Sequence, residues 1–443
     1  MKLPQPVQFI LERFRQHGFE AYVVGGCVRD SLNGETPHDW DICTSALPEQ
    51  TKACFADCSV AEIGIKHGTI SVVLDHQLYE ITTYRIDGDY LDNRHPKQVQ
   101  FTPSLREDLA RRDFTINAMA YAEDTGVVDL FGGEKDLKAH VIRCVGNPDK
   151  RFQEDALRIL RALRFASRLN FSIEKETSDA IHRNSALLRH IAAERIREEL
   201  IGILCGKGVE PILNDYRDVI AVFIPELIPT FDFDQHNPHH CFDVYRHIVR
   251  SVSLIEPEPV LRLAMYFHDI GKPPVCLTGK NNVCHFRGHP TISADIASSI
   301  FHRLRFSNEI TRTCLLLITY HDARYQGSRR QLKRLLQVLG EENMRRLFKV
   351  QMADLMAQSD FRREEKRAAL EAMIKETNKI LAEHQCFTLR QLAINGNDLI
   401  ALGITDGKQI GQMLHQLLEE VTDDLLPNEK DALEKRASQL RKL

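Results

Sequence analysis

Two aspartates, Asp39 and Asp41, stand two residues apart in the run HDWDIC. Along a β-strand alternate side chains share a face, so both carboxylates would point the same way. Paired hard oxygen ligands suit Mg²⁺, which keeps several waters and binds substrate phosphates. Upstream, Gly25-Gly26 follows AYVV and opens a segment that carries Arg29. Glycine lets a backbone approach a phosphate closely, and helix N-terminal amides attract anions. An Asp-x-Asp pair alone is common on protein surfaces. Strand, glycine turn, Arg-bearing helix and paired acids in succession form a far more specific pattern, and it points to phosphate chemistry.

Two further sets carry chemistry. Asp155 and Arg158 are three apart in EDALRILRALRFASRL, so on a helix they share a face. A carboxylate accepts from an amino group and a guanidinium donates to ring nitrogen or carbonyl acceptors. Cytosine and adenine each show an amino group beside an acceptor, so such a pair could select C and A. An intrahelical ion pair fits the same spacing. Downstream, His247, His268-Asp269 and Asp322 follow one another in order, with His289 and His321 nearby. Mixed histidine and carboxylate ligands suit a transition metal or Mg²⁺.

The elements that must position these residues change character along the chain. Over residues 1–145, AYVVGG reads as a strand into a turn, CVRDSLNG as a short helix, and HDWDIC, TISVVL and YEITTYR as β-rich runs. FTINAMAYA reads as helical, and AEDTG as a turn into VVDLFGG. From about 146 the strand signals almost vanish, and EDALRILRALRFASRL and ERIREELIGIL are strongly helix-periodic. The expectation is an α+β protein: a head with a small mixed sheet (1–145), a helical neck (146–210), a second helical domain (211–335) and a helical body and tail (336–443).

Bulk properties set the frame. The chain has 443 residues, 43% hydrophobic and 27% charged, an ordinary balance for a multi-domain globular protein. A net charge of −4 places any nucleic-acid footprint in a local patch. Lys150, Arg151, Arg158, Arg161, Arg164 and Arg168 supply one. Eleven cysteines without CxxC spacing, no signal-peptide pattern and no run long enough for a membrane helix predict reduced thiols in the cytoplasm and no membrane association.

The motifs YVVGGCVRDSLNG, HDWDIC, RRDFTINAMAY, EDALRILRALRFA and ERIREEL, in that order, resemble the class II tRNA nucleotidyltransferase and bacterial poly(A) polymerase family. Its head is DNA polymerase beta-like. LAINGNDLIALGI…GQMLHQLLEEV resembles the C-terminal region of bacterial CCA-adding enzymes. The resemblance implies addition of CCA, from CTP and ATP, to the 3′ end of tRNA. Gly26 and Arg29 would contact the triphosphate, and Asp39 and Asp41 would hold two Mg²⁺. Arg112 would contact the nucleotide and Asp113 probe the ribose 2′-hydroxyl. Asp155 and Arg158 would read the base, with Arg161 and Arg164 completing the site. Glu80 is the candidate third carboxylate near the metals. A long polar segment before Arg111-Arg112-Asp113, residues 88–104, disfavours CC-only addition, and the IGIKHGTISVV stretch is unlike the poly(A) polymerases. The alternatives are addition of the final A alone, poly(A) synthesis, or a protein that is chiefly an HD-type metal-dependent phosphohydrolase. The order His247, His268-Asp269, Asp322 resembles the HD phosphohydrolase superfamily, which implies a second divalent ion (Mn²⁺, Ni²⁺ or Mg²⁺).

Overall fold

The computed structural model describes residues 1–441 apart from 63, 66–67, 88–98, 280–282 and 384–385. The chain divides into two compact units, Met1–Pro225 and Glu226–Leu443. The α+β expectation holds: the first unit carries the large sheet and the second is almost wholly helical.

The head strands are β1 (Ala21–Val24), β2 (Ile42–Thr44), β3 (Ser59–Ala61), β4 (Thr69–Leu74), β5 (Gln77–Thr83), β6 (Arg85–Asp87), β7 (Val99–Phe101), β8 (Met119–Ala122) and β9 (Gly126–Asp129). Seven of them form one mixed sheet, ordered β3-β4-β5-β2-β1-β8-β9. Strands β2 and β5 run parallel, with Ile42 opposite Ile81, and β1 pairs antiparallel with β2 and β8. Along β5, Tyr79, Ile81 and Thr83 are buried while Leu78 and Glu80 face solvent, the period-2 pattern of a half-covered strand. Strands β6 and β7 pair separately, Arg85 opposite Phe101. Residues 88–98 of the polar segment lie outside the described residues.

Three local readings are corrected. FTINAMAYA is not a helix but a short 3₁₀ turn, Thr115–Asn117, running into β8. Ile116, Ala118, Met119 and Ala120 are all fully buried, and pairing on both sides by β1 and β9 outweighs the helix propensity of Ala and Met. Strand β2 begins only after Asp41, so Asp39 and Asp41 lie in its extended lead-in, where the Asp41 carbonyl accepts from the Val24 amide at 2.9 Å. The run EDALRILRALRFASRL breaks at Asp155 (φ −140°, ψ 104°), between helices Pro148–Glu154 and Leu157–Leu169.

Helix Leu157–Leu169 packs on Ala193–Leu204, burying Ile159, Leu160, Ala162 and Leu163 completely. Each such leucine or isoleucine contributes roughly 1.5–3 kcal/mol, enough to fix the helix. Gly202 permits this approach, since a Cβ there would stand 2.4 Å from Cδ of Arg164.

In the second unit, helices Val244–Leu254, Pro259–Phe267, His289–Arg303, Asn308–Tyr320 and Arg329–Ala357 pack together. The last is broken at Gly340 (φ 73°, ψ 169°), and the expected boundary at 335 falls inside it. C-terminal helices close around Leu399, Leu417, Leu418 and Leu433. Among the described residues no helix is long and apolar enough to cross a membrane.

Candidate functional site

The glycine turn and the acids meet at one end of the head sheet. Gly25 has φ 81°, a conformation that favours glycine, and a Cβ there would lie 3.1 Å from Nη1 of Arg112. One step before the Ile42–Ile81 pair, the parallel register sets Asp41 level with Glu80. Asp39, Asp41 and Glu80 are all exposed. Partial desolvation raises the Asp41 carboxyl above its usual range; Arg112 opposes this, and Glu80 and Asp39 add repulsion. Crowded carboxylates of this kind match the hard-oxygen demand of Mg²⁺. They are not drawn together as tightly as the histidine cluster of the second unit.

Behind the acids runs a line of guanidinium groups. Arg29, buried, donates through Nη1 to Oδ1 of Asn117 at 2.6 Å. Asn117 donates to Oδ1 of Asp113 at 3.2 Å, and Arg161 donates to Oδ2 through Nε (2.8 Å) and Nη2 (2.7 Å). Burial pushes Asp113 up, but Arg161 and the hydrogen bonds from Asn117 and the Phe114 amide hold it below the ordinary carboxylate range. Arg29, Arg161 and Arg164 all approach the Phe165 ring, at 5.2, 5.4 and 4.4 Å from its centroid, within cation–π range. Asp108, fully buried, accepts from Arg111 at 2.7 Å and Arg112 at 3.3 Å. Burial works against its charge, and the two arginines hold it low.

Asp155 and Arg158 do not pair with each other. Oδ1 of Asp155 accepts from the Leu157 amide at 3.0 Å and Oδ2 from Arg195 at 3.1 Å. Arg158 donates to Glu154 (2.7 Å) and to the Arg111 carbonyl (3.0 Å). The shared-face argument therefore fails, because Asp155 is an interhelical residue rather than a helical one. Arg164 is tied to Glu199 at 2.6 Å. Sequence reasoning gave no role to Asp108, Asn117, Glu154, Phe165, Arg195 or Glu199. Arg195 and Glu199 stood within ERIREEL, whose charged positions were the available signal.

The second unit gathers a different cluster. His247, His268, Asp269 and Asp354 present ligand atoms within 4.8 Å of one another, and so do Asp269, His289 and His321. The His268-Asp269 doublet sits at the C-terminal end of helix Pro259–Phe267. Asp322 does not take part: it is exposed and lies 3.4 Å from Arg324. Following the helix end at His321, it turns outward, and Asp354 of helix Arg329–Ala357 supplies the carboxylate, 2.9 Å from Nε2 of His247. Burial works against ionised Asp269 and Asp354, yet His247 and His268, with Lys272 beside Asp269, hold both far below the usual range.

Residues 21–143 match the Poly A polymerase head domain model, 170–228 the model for the probable RNA- and SrmB-binding site of polymerase A, and 290–437 that of tRNA nucleotidyltransferase domain 2. The CCA-adding enzyme of Limosilactobacillus fermentum is 33% identical over 443 residues, covering 99% of this chain and 97% of that one. The chain belongs to the CCA-adding enzyme family. The CCA-adding enzyme of Ligilactobacillus salivarius is 51% identical over 210 residues; there the chain spans about half of the relative, 51% of its length. The crystal structure of the Bacillus stearothermophilus CCA-adding enzyme in complex with CTP superposes with a TM-score of 0.73 at 27% identity, covering 100% of this chain and 98% of that one. The Limosilactobacillus fermentum relative and the Bacillus stearothermophilus structure thus align over nearly the whole chain.

Proposed function

We propose that this chain adds C, C and A in turn to the 3′ end of tRNA, using CTP and ATP. The observation that carries this reading is the convergence of Asp39, Asp41 and Glu80 with the Gly25-Gly26 turn and the line Arg29–Asn117–Asp113–Arg161. Asp39 and Asp41 would hold Mg²⁺, which when bound supplies charge neutralisation for the α-phosphate and the departing pyrophosphate. Gly26, Arg29 and Arg112 bind the triphosphate. Asp113, fixed by Arg161, faces the ribose. Asp155 and Arg158 read the amino-and-acceptor edge shared by C and A, steadied by Arg195 and Glu154, and Arg164 flanks them. The tRNA 3′-oxygen attacks the α-phosphorus, the bond to the bridging oxygen breaks, and pyrophosphate leaves. Residues 1–145 would perform transfer, 146–210 nucleotide choice and 336–443 tRNA holding. Eleven free thiols support a cytoplasmic setting.

Incubating tRNA that lacks CCA, and tRNA that ends in CC, with Mg²⁺ and labelled CTP or ATP, separately and together, tests the reading. Incorporation of CTP, followed by ATP, is expected. Incorporation of ATP alone, onto ends already carrying CC, would reassign the chain to A addition.

The buried His247, His268 and Asp269, with half-buried Asp354, favour a second activity in the other unit: metal-dependent hydrolysis of a phosphate ester, such as a 2′,3′-cyclic phosphate on a damaged tRNA end. Their nitrogen and oxygen donors fit Mn²⁺ or Ni²⁺ as well as Mg²⁺. Comparing wild type with His268→Ala/Asp269→Ala on that substrate checks it. Equal hydrolysis in both would remove the assignment.

A further inference from the structure

Asp108 sits in helix Leu105–Ala110 and is wholly buried. Its two oxygens serve different neighbours. Oδ1 accepts from Nε and Nη2 of Arg111 at 3.0 and 2.7 Å, and from the Arg85 amide at 3.3 Å. Oδ2 accepts from Nη2 of Arg112 at 3.3 Å. A buried carboxylate is costly unless cations and hydrogen bonds hold its charge. Arg111 and the Arg85 amide already meet that need at one oxygen, which leaves the other to act on Arg112.

The Arg112 guanidinium reaches from the end of this helix to the glycine turn. Nη1 lies 3.1 Å from where a Gly25 Cβ would stand. Nε is buried and has no acceptor among the described residues. A buried guanidinium N–H without an acceptor is costly, so these donors point to an anion from outside the chain. Burial works against the Arg112 charge, and Asp108 is the largest of the groups that offset it, ahead of Cys43 and Asp41. Without the charge on Asp108, the carboxylate still attracting Arg112 is Asp41. The guanidinium would then be drawn toward the acids assigned to Mg²⁺.

Building on the nucleotidyl-transfer reading above, we propose that Asp108 is a positioning residue for the triphosphate. Its carboxylate fixes one end of the Arg112 guanidinium at the Gly25 turn and leaves Nε and Nη1 to a phosphate oxygen. A donor already in place loses little freedom when the anion arrives, and that gain appears as affinity. Wholly buried, Asp108 touches neither nucleotide nor metal itself. Arg111 braces the carboxylate from its other oxygen.

The test uses the full chain with Mg²⁺ and tRNA, and measures the Ki of inorganic tripolyphosphate against whichever of CTP or ATP the chain adds, together with KM and kcat. Tripolyphosphate has no base or sugar, so it reports the phosphate contacts alone. Asp108→Asn should raise Ki and KM together by roughly tenfold, with kcat changed less. Arg112→Ala should raise Ki at least as much. Adding Asp108→Asn to Arg112→Ala should then change Ki by less than about twofold, because the aspartate acts through the arginine. Thermal melting checks the fold of each variant. If Asp108→Asn does not fold, Asp108→Glu, which keeps the charge but moves it by one methylene, takes its place with a smaller rise in Ki expected. A Ki raised by Arg112→Ala but not by the Asp108 variant would overturn the proposal and leave the triphosphate reading standing. Losses that multiply in the double variant would overturn it likewise. A Ki unmoved by Arg112→Ala would remove Arg112 from triphosphate binding, and the role of Asp108 with it.

Discussion

Arg161 meets one oxygen of Asp113 with both Nε and Nη2, at 2.8 and 2.7 Å, although 48 residues separate them. The contact joins helix Leu157–Leu169 to the bend before the Thr115–Asn117 turn of the head, and Asn117 extends it to Arg29. Asp113 is buried and Arg161 about a third exposed. Breaking a buried pair costs about 3–5 kcal/mol, and solvent at Arg161 reduces that to about 1–3 kcal/mol. Arg161→Ala should lower unfolding free energy by that amount in a denaturant titration. Adding Asp113→Asn should restore part of it. Additive losses in the double variant would show that the two residues act separately.

Asp39→Ala and Asp41→Ala should abolish nucleotide addition while tRNA affinity changes less than about threefold, well under the 1.4 kcal/mol of a tenfold change. On the proposed reading both acids serve the metal-bound phosphates rather than the tRNA. Filter binding beside a primer-extension assay separates the two effects. Near-normal addition by either variant would remove it from the metal assignment.

Asp155→Ala or Arg158→Ala should relax nucleotide choice, admitting UTP or GTP roughly ten- to hundredfold more often, since a good two-point base contact gives about 1–3 kcal/mol of discrimination. The structure adds two variants. Glu154→Ala removes one partner of Arg158 and Arg195→Ala one partner of Asp155, so each should blur selectivity to a smaller degree. Competition assays with mixed NTPs report it. Slower addition at unchanged selectivity would count against base reading by this pair.

Acid should loosen the head through Asp108 and Asp113. Both are held below the ordinary carboxylate value of 3.8 when folded. Their stabilisation is thus complete above about pH 4 and is lost as pH falls through the folded values. A stability–pH profile should drop below that point, and Asp113→Asn should drop less steeply. Identical slopes would place the acid sensitivity elsewhere.

Much of the head was legible because its signals are local. Gly25, the β-branched run of β1 and the Asp39–Asp41 spacing each name their own conformation. Asp155 was misread because its helix break comes from capping the next helix and pairing with Arg195, forty residues on. FTINAMAYA was misread because a strand buried on both faces at Met119, Ala120 and Ala122 has little alternation to reveal it. Asp354 escaped notice because nothing in its own helix marks it; only the packing of five helices brings it to His247. Asp322, beside His321, looked the better ligand in sequence and faces water in the fold.

The parallel pairing of Ile42 with Ile81 has one last implication. Because side chains alternate along β5, the acid at 80 shares the face of the proposed site by parity, not by distance along the chain. Loops between β2 and β5 can differ in length while that register is kept. A slip of one residue between those two strands would instead turn Ile81 outward and bury Glu80, producing an inactive protein whose amino acids are all still present.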